Sequence, residues 1–192
     1  MSPLTLLLMQ RRDIPAAAHL LSTCMLHNAL HIAVFGGQGE SARRAIEQMF
    51  VDLFAELPGI SFLARSSGQL VGVMRMTSCH GRKLTPASAG QDGTDPVLAR
   101  KQRWHALWAQ HDPEEPHWHL GPIGVATDCQ GAGIGSRLME RFCEEVDACR
   151  APAYLETDRP VNVRFYQRFG FEVAGQESIF GVTNYFMWRP AN

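Results

Sequence analysis

The residues best suited to chemistry lie in a glycine-rich stretch, QGAGIGS at residues 130–136. An apolar, β-prone segment at residues 117–125 precedes it, and apolar residues at helical spacing follow it. Glycine lets a backbone come close to a ligand, the first amides of a helix lack partners, and the helix dipole favours negative charge there. The stretch therefore predicts a loop that binds an anion at the start of a helix.

Three kinds of nucleotide loop compete for this stretch. A phosphate-binding loop of the Walker type needs a lysine before its last residue, and none is present. A dinucleotide fingerprint fits Gly131 and Gly133 but finds Ser136 where its third glycine belongs. The pattern Gln/Arg-x-x-Gly-x-Gly/Ala is filled completely, by Gln130, Gly133 and Gly135.

A second motif follows at residues 162–171, NVRFYQRFGF. It fits the pattern Asn-x-x-x-Tyr-x-x-x-Gly-Phe, with Asn162 and Tyr166 at its polar positions. The two motifs in this order resemble the GCN5-related N-acetyltransferases (GNAT). Over residues 115–173 the resemblance is closest to the puromycin N-acetyltransferase-like branch of that family.

The resemblance implies that acetyl-coenzyme A (acetyl-CoA) is the co-substrate and that no metal is needed. Pantetheine is expected to pair with the backbone near Ile123 and Val125, and pyrophosphate to lie on the glycine loop. The residues expected to contact the coenzyme are Ile123, Gly124, Val125, Gln130, Gly131, Ala132, Gly133, Ile134, Gly135, Ser136, Asn162 and Tyr166.

The implied reaction is direct attack of a neutral primary amine, on a small molecule or a peptide, on the thioester in a ternary complex. Tyr166 matches the family's general acid, although a core tyrosine on an amphipathic helix would look the same. Asn162 could also cap its helix. For the base we favour His119, eleven positions before Gln130, because imidazole titrates in the useful range. Glu156 and a chain of waters remain alternatives.

The elements that must position these residues can be outlined from the pattern. Helices are predicted at residues 14–32, 41–57, 97–110, 137–148 and 162–169, and strands at 4–9, 60–65, 69–76, 117–125, 152–157, 171–175 and 183–189. Gly121 and Pro122 suggest a bulge in the strand before the glycine loop. Residues 79–96 have the composition of a surface loop.

The resemblance turns this outline into a fold of the α/β (α+β) class. It implies the GNAT fold: a mixed, mainly antiparallel sheet of six to seven strands with helices on both faces. The sheet is expected to open at its centre, between the strand that ends at Val125 and the strand at residues 154–157.

Composition bounds the rest. A length of 192 residues with 45% hydrophobic side chains favours one domain spanning residues 1–192. A net charge of −1 gives no broad attraction to nucleic acid or to an anionic membrane. Five cysteines without paired spacing, and the lack of a span-length apolar run or signal pattern, favour a soluble protein of the reducing cytoplasm. A homodimer is an option that the sequence leaves open.

Two other classes compete with an acetyltransferase. A nucleotide-dependent oxidoreductase is suggested by Glu156, which follows the glycine loop by about twenty residues, as a ribose-binding acid would. A non-catalytic module that binds acyl-CoA would keep the same fold. His27 and His31 have a spacing that could hold a metal on a helix, but packing is the favoured interpretation.

Overall fold

The computed structural model describes residues 3–81 and 95–192, and these form one seven-stranded sheet flanked by helices. The strands are β1 (Leu4–Leu8), β2 (Ile60–Ser66), β3 (Gln69–Cys79), β4 (His117–Val125), β5 (Ala153–Thr157), β6 (Glu172–Ile179) and β7 (Val182–Arg189). The helices are α1 (Ile14–Met25), α2 (Ala29–Phe35), α3 (Glu40–Glu56), α4 (Pro96–His111), α5 (Ile134–Ala148) and α6 (Pro160–Gln167).

The strand order is β1-β2-β3-β4-β5-β7-β6, and every neighbouring pair is antiparallel except β4 with β5. This confirms the mixed, mainly antiparallel sheet that the sequence predicts. It also argues against the oxidoreductase alternative, because a doubly wound dinucleotide-binding fold is built on a mostly parallel sheet.

The parallel pairing of β4 with β5 is short, and the sheet opens at its centre where this pairing ends. Only two register pairs join β4 to β5, Trp118 with Ala153 and His119 with Tyr154. Just beyond them β4 carries a bulge, since Arg75 of β3 faces both Gly121 and Pro122. The strands therefore separate where the sequence predicts, and the predicted bulge lies beside the point of separation.

Each face of the sheet carries its own core. On one face α5 and α6 cover buried side chains that include Leu138, Phe142 and Phe171. On the other face α1, α2, α3 and α4 pack around residues such as Leu21 and Trp104. Helices on both faces are thus confirmed, and the second face, which we call the α1–α4 face, is the one relevant to the acidic and basic groups discussed below.

The prediction of one helix over residues 14–32 is wrong. The chain leaves α1 after Met25 and begins α2 at Ala29, with Asn28 as the N-cap whose side chain accepts from the amide of His31 at 3.0 Å. Asp158, at the end of β5, supports the break by accepting from Asn28 Nδ2 at 2.7 Å and from the amide of Leu30 at 3.1 Å. Apolar residues continue through the break, so hydrophobic spacing alone cannot reveal it.

The final hairpin is longer than predicted, because β6 extends to Ile179 rather than ending at residue 175. Its turn is made by Phe180 and Gly181, both with positive φ, and phenylalanine gives no turn signal in a sequence. Most of the predicted loop at residues 79–96 lies outside the described residues.

The histidine pair on the first helices separates into two environments. His31 is buried, stacks on Phe35 and contacts Trp104 edge to face, and burial lowers its pKa to about 4. His27 is exposed. No group of three or more histidine, cysteine or acidic side chains suited to a metal occurs within residues 3–81 and 95–192.

Over the same ranges, no single helix is long and apolar enough to cross a membrane. One pair bent by 102°, Arg11–Met25 with Ala29–Phe35, meets the test on length and composition alone.

Candidate active site

The glycine loop lies at the N-terminus of α5, as predicted. Gly131 and Gly133 have φ values of +79° and +80°, a left-handed conformation that other residues adopt reluctantly. Gly133 is the N-cap, and the first-turn amides of α5 have no partner within the helix. Among the described residues no atom lies within 4 Å of where a side chain at either glycine would begin. The loop therefore presents bare backbone donors to open space.

Packing beneath the loop holds it in place. Ile134, the first residue of α5, is buried, and a Cβ at Gly72 of β3 would lie only 3.1 Å from its side chain. Gln130 donates from Nε2 to the carbonyl of Val125 at 3.2 Å, which joins the start of the loop to the end of β4. Gly135 lies beside Phe165 of α6, with 3.6 Å between a Cβ there and the ring. The loop, β4 and α6 therefore surround one end of the opening.

The remaining residues of the loop differ in exposure. Ala132 is exposed, whereas Ser136 is half-buried in the first turn of α5. Both lie in the stretch that the sequence assigns to the coenzyme.

The edge of β4 that faces the opening carries main-chain groups of the two predicted residues that do not pair with β3. The amide of Ala126 bonds to the carbonyl of Val71 at 2.9 Å, so Val125 and Gly72 face each other without bonds between them. The backbone groups of Val125, and of Ile123 two residues earlier, therefore point away from β3 and into the opening. Those of Gly124 point the other way, toward β3.

Helix α1 closes the other side of this edge. Gly124 is buried, and a Cβ there would lie 2.8 Å from Leu21 Cδ2, so only glycine lets α1 come this close. Cys24 donates its thiol to the carbonyl of Val125 at 3.1 Å. Burial raises the pKa of Cys24 to about 11, which keeps the thiol protonated as that donor.

Helix α6 carries the second motif. Asn162 is not the helix cap, because Arg159 occupies that position and the Asn162 amide group instead donates to Thr157 Oγ1 at 3.2 Å. The prediction of a capping role is therefore wrong. Tyr166 is buried and packs against Phe165 and Phe171.

The protonation state of Tyr166 is well defined. Burial, together with the negative charge of Asp158, raises its pKa above the ordinary value. The phenol therefore carries its proton at neutral pH and is able to donate it.

His119 and Glu156, the two candidate bases, meet across the opening. Nε2 of His119 lies 2.7 Å from Oε2 of Glu156, and the Glu156 side chain is only 5% exposed. Burial alone would lower the pKa of His119, but the charge of Glu156 and the neighbouring Cys79 raise it to about 10. At neutral pH the two side chains thus form an imidazolium–carboxylate pair.

Two further groups that the sequence did not single out extend this pair. Cys79 of β3 faces His117 directly across the β3–β4 ladder, and Asp112 Oδ1 lies 3.4 Å from His117 Nε2. Burial opposes charge on His117, but the neighbouring Asp112 and Cys79 raise its pKa to about 9. Sequence analysis missed this because the pairing of β3 with β4 is not visible in the chain, where Cys79 stands at the edge of a predicted loop.

The opened sheet and the glycine loop at a helix N-terminus agree with the fold that the sequence resemblance implies. A sequence model of the Acetyltransferase (GNAT) family matches residues 26–171, so the chain belongs to this family.

Solved structures share the fold over nearly the whole chain. A histone acetyltransferase HPA2 and related acetyltransferase from Corynebacterium glutamicum has a TM-score of 0.72 and 22% identity, covering 100% of this chain and 98% of that chain. The ribosomal-protein-S18-alanine N-acetyltransferase from Escherichia coli has a TM-score of 0.62 and 16% identity, covering 99% and 95%.

A GNAT family acetyltransferase from Brucella melitensis, solved in complex with acetyl-CoA, has a TM-score of 0.58 and 16% identity, covering 99% and 89%. At these identities the likeness extends to the fold. The closer resemblance to the puromycin N-acetyltransferase-like branch stays a prediction.

The ion pair at the opening yields a direct test. Glu156→Gln removes the charge that holds the proton on His119, so the pKa of His119 should fall from about 10 to near or below its ordinary 6.5. Long-range proton–nitrogen spectra of the imidazole across a pH series measure this. Glu177→Gln, which removes the partner of His111 at 2.6 Å, should leave the titration of His119 unchanged. A midpoint for His119 near 6.5 in the unsubstituted protein would contradict the ion pair.

Proposed function

We propose that the protein is an acetyl-CoA-dependent N-acetyltransferase that moves the acetyl group to a primary amine of a small molecule or peptide. The observation that carries the proposal is the bare glycine loop at the N-terminus of α5, next to the opening between β4 and β5, in a chain of the GNAT family. The structural relative from Brucella melitensis, which holds acetyl-CoA, supports acetyl-CoA as the co-substrate.

The coenzyme site has two parts. The amides from Gly131 to Ser136 suit the pyrophosphate, because unpaired helix amides and the positive end of the dipole both attract an anion. The outward-facing backbone groups of Ile123 and the amide of Val125 suit the pantetheine amides, as an added strand would pair with them. Asn162 lies in the first turn of α6 beside the same opening, where it ties α6 to Thr157.

Tyr166 is proposed as the acid that protonates the departing thiolate. Because burial raises the pKa of this phenol, Tyr166 carries its proton at neutral pH and has one to donate. Its packing among Phe165 and Phe171 also fixes its direction, and the core and catalytic interpretations of Tyr166 are therefore compatible.

The His119–Glu156 pair is proposed to take the proton from the acceptor ammonium, directly or through water. The pair lies on the α1–α4 face, opposite to α5 and α6, so an acceptor there would reach the opening from the far side of the sheet. Its negative carboxylate favours a cationic amine. His119 holds a proton at neutral pH, so its imidazole can act as a base only after losing that proton. Proton transfer from the acceptor to His119 therefore requires alkaline pH.

The first prediction joins activity to the loop. Release of free thiol from acetyl-CoA, screened over amino acids, polyamines, peptides and amine-containing antibiotics, should identify an acceptor. Gly133→Asp places a negative side chain against the pyrophosphate, so its affinity for coenzyme A by calorimetry should fall by about 10-fold or more.

The matched control for that variant is Gly68→Asp. Gly68 lies in the β2–β3 turn with φ +78° and open space around it, so the same substitution meets the same backbone strain outside the glycine loop. A folded Gly133→Asp protein that binds coenzyme A as well as Gly68→Asp does would remove the loop from the site. Thiol release with no amine of any class would leave a non-catalytic acyl-CoA-binding module.

A second prediction concerns the pH dependence of the acceptor step. Because His119 must be deprotonated to act as a base and its pKa is about 10, kcat/KM should rise from pH 7 toward pH 10. His119→Asn should be slower by roughly 10²-fold at the alkaline plateau and by less at neutral pH. Because both proteins are assayed with the same acceptor, titration of the amine affects the two pH profiles equally and cancels in their ratio. Parallel profiles for the two proteins would exclude His119 as the base and favour water or Glu156.

A third prediction tests the acid. Tyr166→Phe keeps the ring but removes the proton, so folding and coenzyme A affinity should persist while single-turnover kcat falls roughly 10- to 10³-fold. Tyr185→Phe, on the half-buried β7 tyrosine, serves as the control. Weaker coenzyme binding with an unchanged chemical rate would make Tyr166 a contact residue instead.

A further inference from the structure

Cys79 lies in a cluster of ionisable groups on the α1–α4 face of the sheet. It is the last residue of β3 and faces His117 across the antiparallel ladder, while His119 faces Thr77, the residue two positions earlier on the same side of β3. Both imidazoles are therefore neighbours of the sulfur, one directly opposite and one diagonal. Both imidazoles act on the ionisation of the Cys79 thiol.

Each imidazole is in turn backed by a carboxylate. Glu156 lies 2.7 Å from His119, and Asp112 lies 3.4 Å from His117. A thiol beside an imidazole that a carboxylate orients is the arrangement that activates nucleophilic cysteines. The buried Nε2 atom of His117, although close to Asp112, has no well-aligned hydrogen bond with any described residue, which leaves it free to serve the cluster.

The charges around the sulfur favour its ionised form. Among the described residues, the groups that face it are Arg75 on β3, His117 and His119 on β4, Asp112 after α4 and Glu156 on β5. The two imidazoles act directly on the sulfur, and the carboxylates of Glu156 and Asp112 lie 2.7 and 3.4 Å from those imidazoles. Burial alone would raise the pKa of Cys79, but the neighbouring imidazoles of His117 and His119 lower it to about 7.

The other cysteines provide an internal comparison. Burial raises the pKa of Cys24 to about 11, and burial likewise raises the pKa of Cys143. The pKa of Cys129 is also raised, with the charge of Asp128 contributing. Cys149 is exposed. The surroundings of Cys79 thus lower its pKa, whereas those of Cys24, Cys129 and Cys143 raise theirs.

We propose that Cys79 is a nucleophilic thiolate and a site of covalent modification by hydroperoxides, held ready by the His119–Glu156 and His117–Asp112 pairs. The sulfur attacks the terminal peroxide oxygen, a sulfur–oxygen bond forms and the oxygen–oxygen bond breaks. The sulfur is oxidised to a sulfenic acid and the peroxide is reduced. The departing oxyanion takes a proton from the imidazolium of His119 or His117. It then leaves as water or as an alcohol.

The proposal does not depend on acetyl transfer, so its test uses no acetyl-CoA. The full-length protein is alkylated with iodoacetamide between pH 5 and pH 10, and mass spectrometry follows each cysteine separately. Cys79 should alkylate with a midpoint near pH 7, while Cys149 in the same molecules reports an exposed thiol. After brief treatment with hydrogen peroxide, a dimedone label should appear on Cys79 before the other cysteines.

Substitution of the partners gives the causal test. His119→Asn and His117→Asn, made separately, should each raise the midpoint of Cys79 and slow its alkylation at pH 7 by about 5- to 50-fold, because fewer sulfurs are ionised although each ionised sulfur is more reactive. Alkylation of Cys149 should not change.

A Cys79 midpoint at or above the ordinary value near 8.5, or peroxide labelling that avoids Cys79, would overturn the proposal. The wild-type midpoint alone decides the matter if a histidine variant does not fold.

Discussion

The structure depends on an incomplete strand pairing. β4 and β5 share two register pairs and then part, with a bulge at Gly121 and Pro122 directing the separation. A parallel ladder that ends so early leaves main-chain donors and acceptors of β4 unpaired, which a folded protein tolerates only where something else can use them. The glycine loop, α6 and the His119–Glu156 pair all border this one gap. The glycine loop lies at the start of a helix, α6 presents one face, and His119 and Glu156 lie on neighbouring strands. They are neighbours because all of them border the gap.

The gap also concentrates charge. The side chains of Cys79, His117, His119 and Glu156 share one face over three adjacent strands, half-shielded from water. In such surroundings an isolated charge is costly, whereas alternating acid and base partners keep one another ionised. The protons of the cluster therefore belong to the group rather than to single residues, and any residue that acts here does so with its partners' charge.

The sequence predicted what depends on local chemistry. The loop, the bulge and the seven strands are encoded by glycine, proline and apolar periodicity, which act over a few residues. What it could not predict depends on distant partners. The break between α1 and α2 is stabilised by Asp158, which lies 130 positions from Asn28 in the chain, and the Cys79 cluster exists only through the β3–β4 register. The sequence could not predict that His119 is protonated, because the imidazole and its carboxylate partner lie on different strands.

The order of strands also bears on how the chain is made. β1, β2, β3 and β4 each pair with the next strand along the chain, so this half of the sheet can assemble before α5 and β5 leave the ribosome. Until then the outer edge of β4 is exposed to any other extended segment. The later half of the sheet, β5 to β7, pairs with that edge at two register positions only. Packing of the helices must therefore hold most of the two halves together. The same unpaired amides that suit a bound pantetheine are thus an aggregation risk during synthesis, and β-strand pairing with another nascent chain is the error that this topology must avoid.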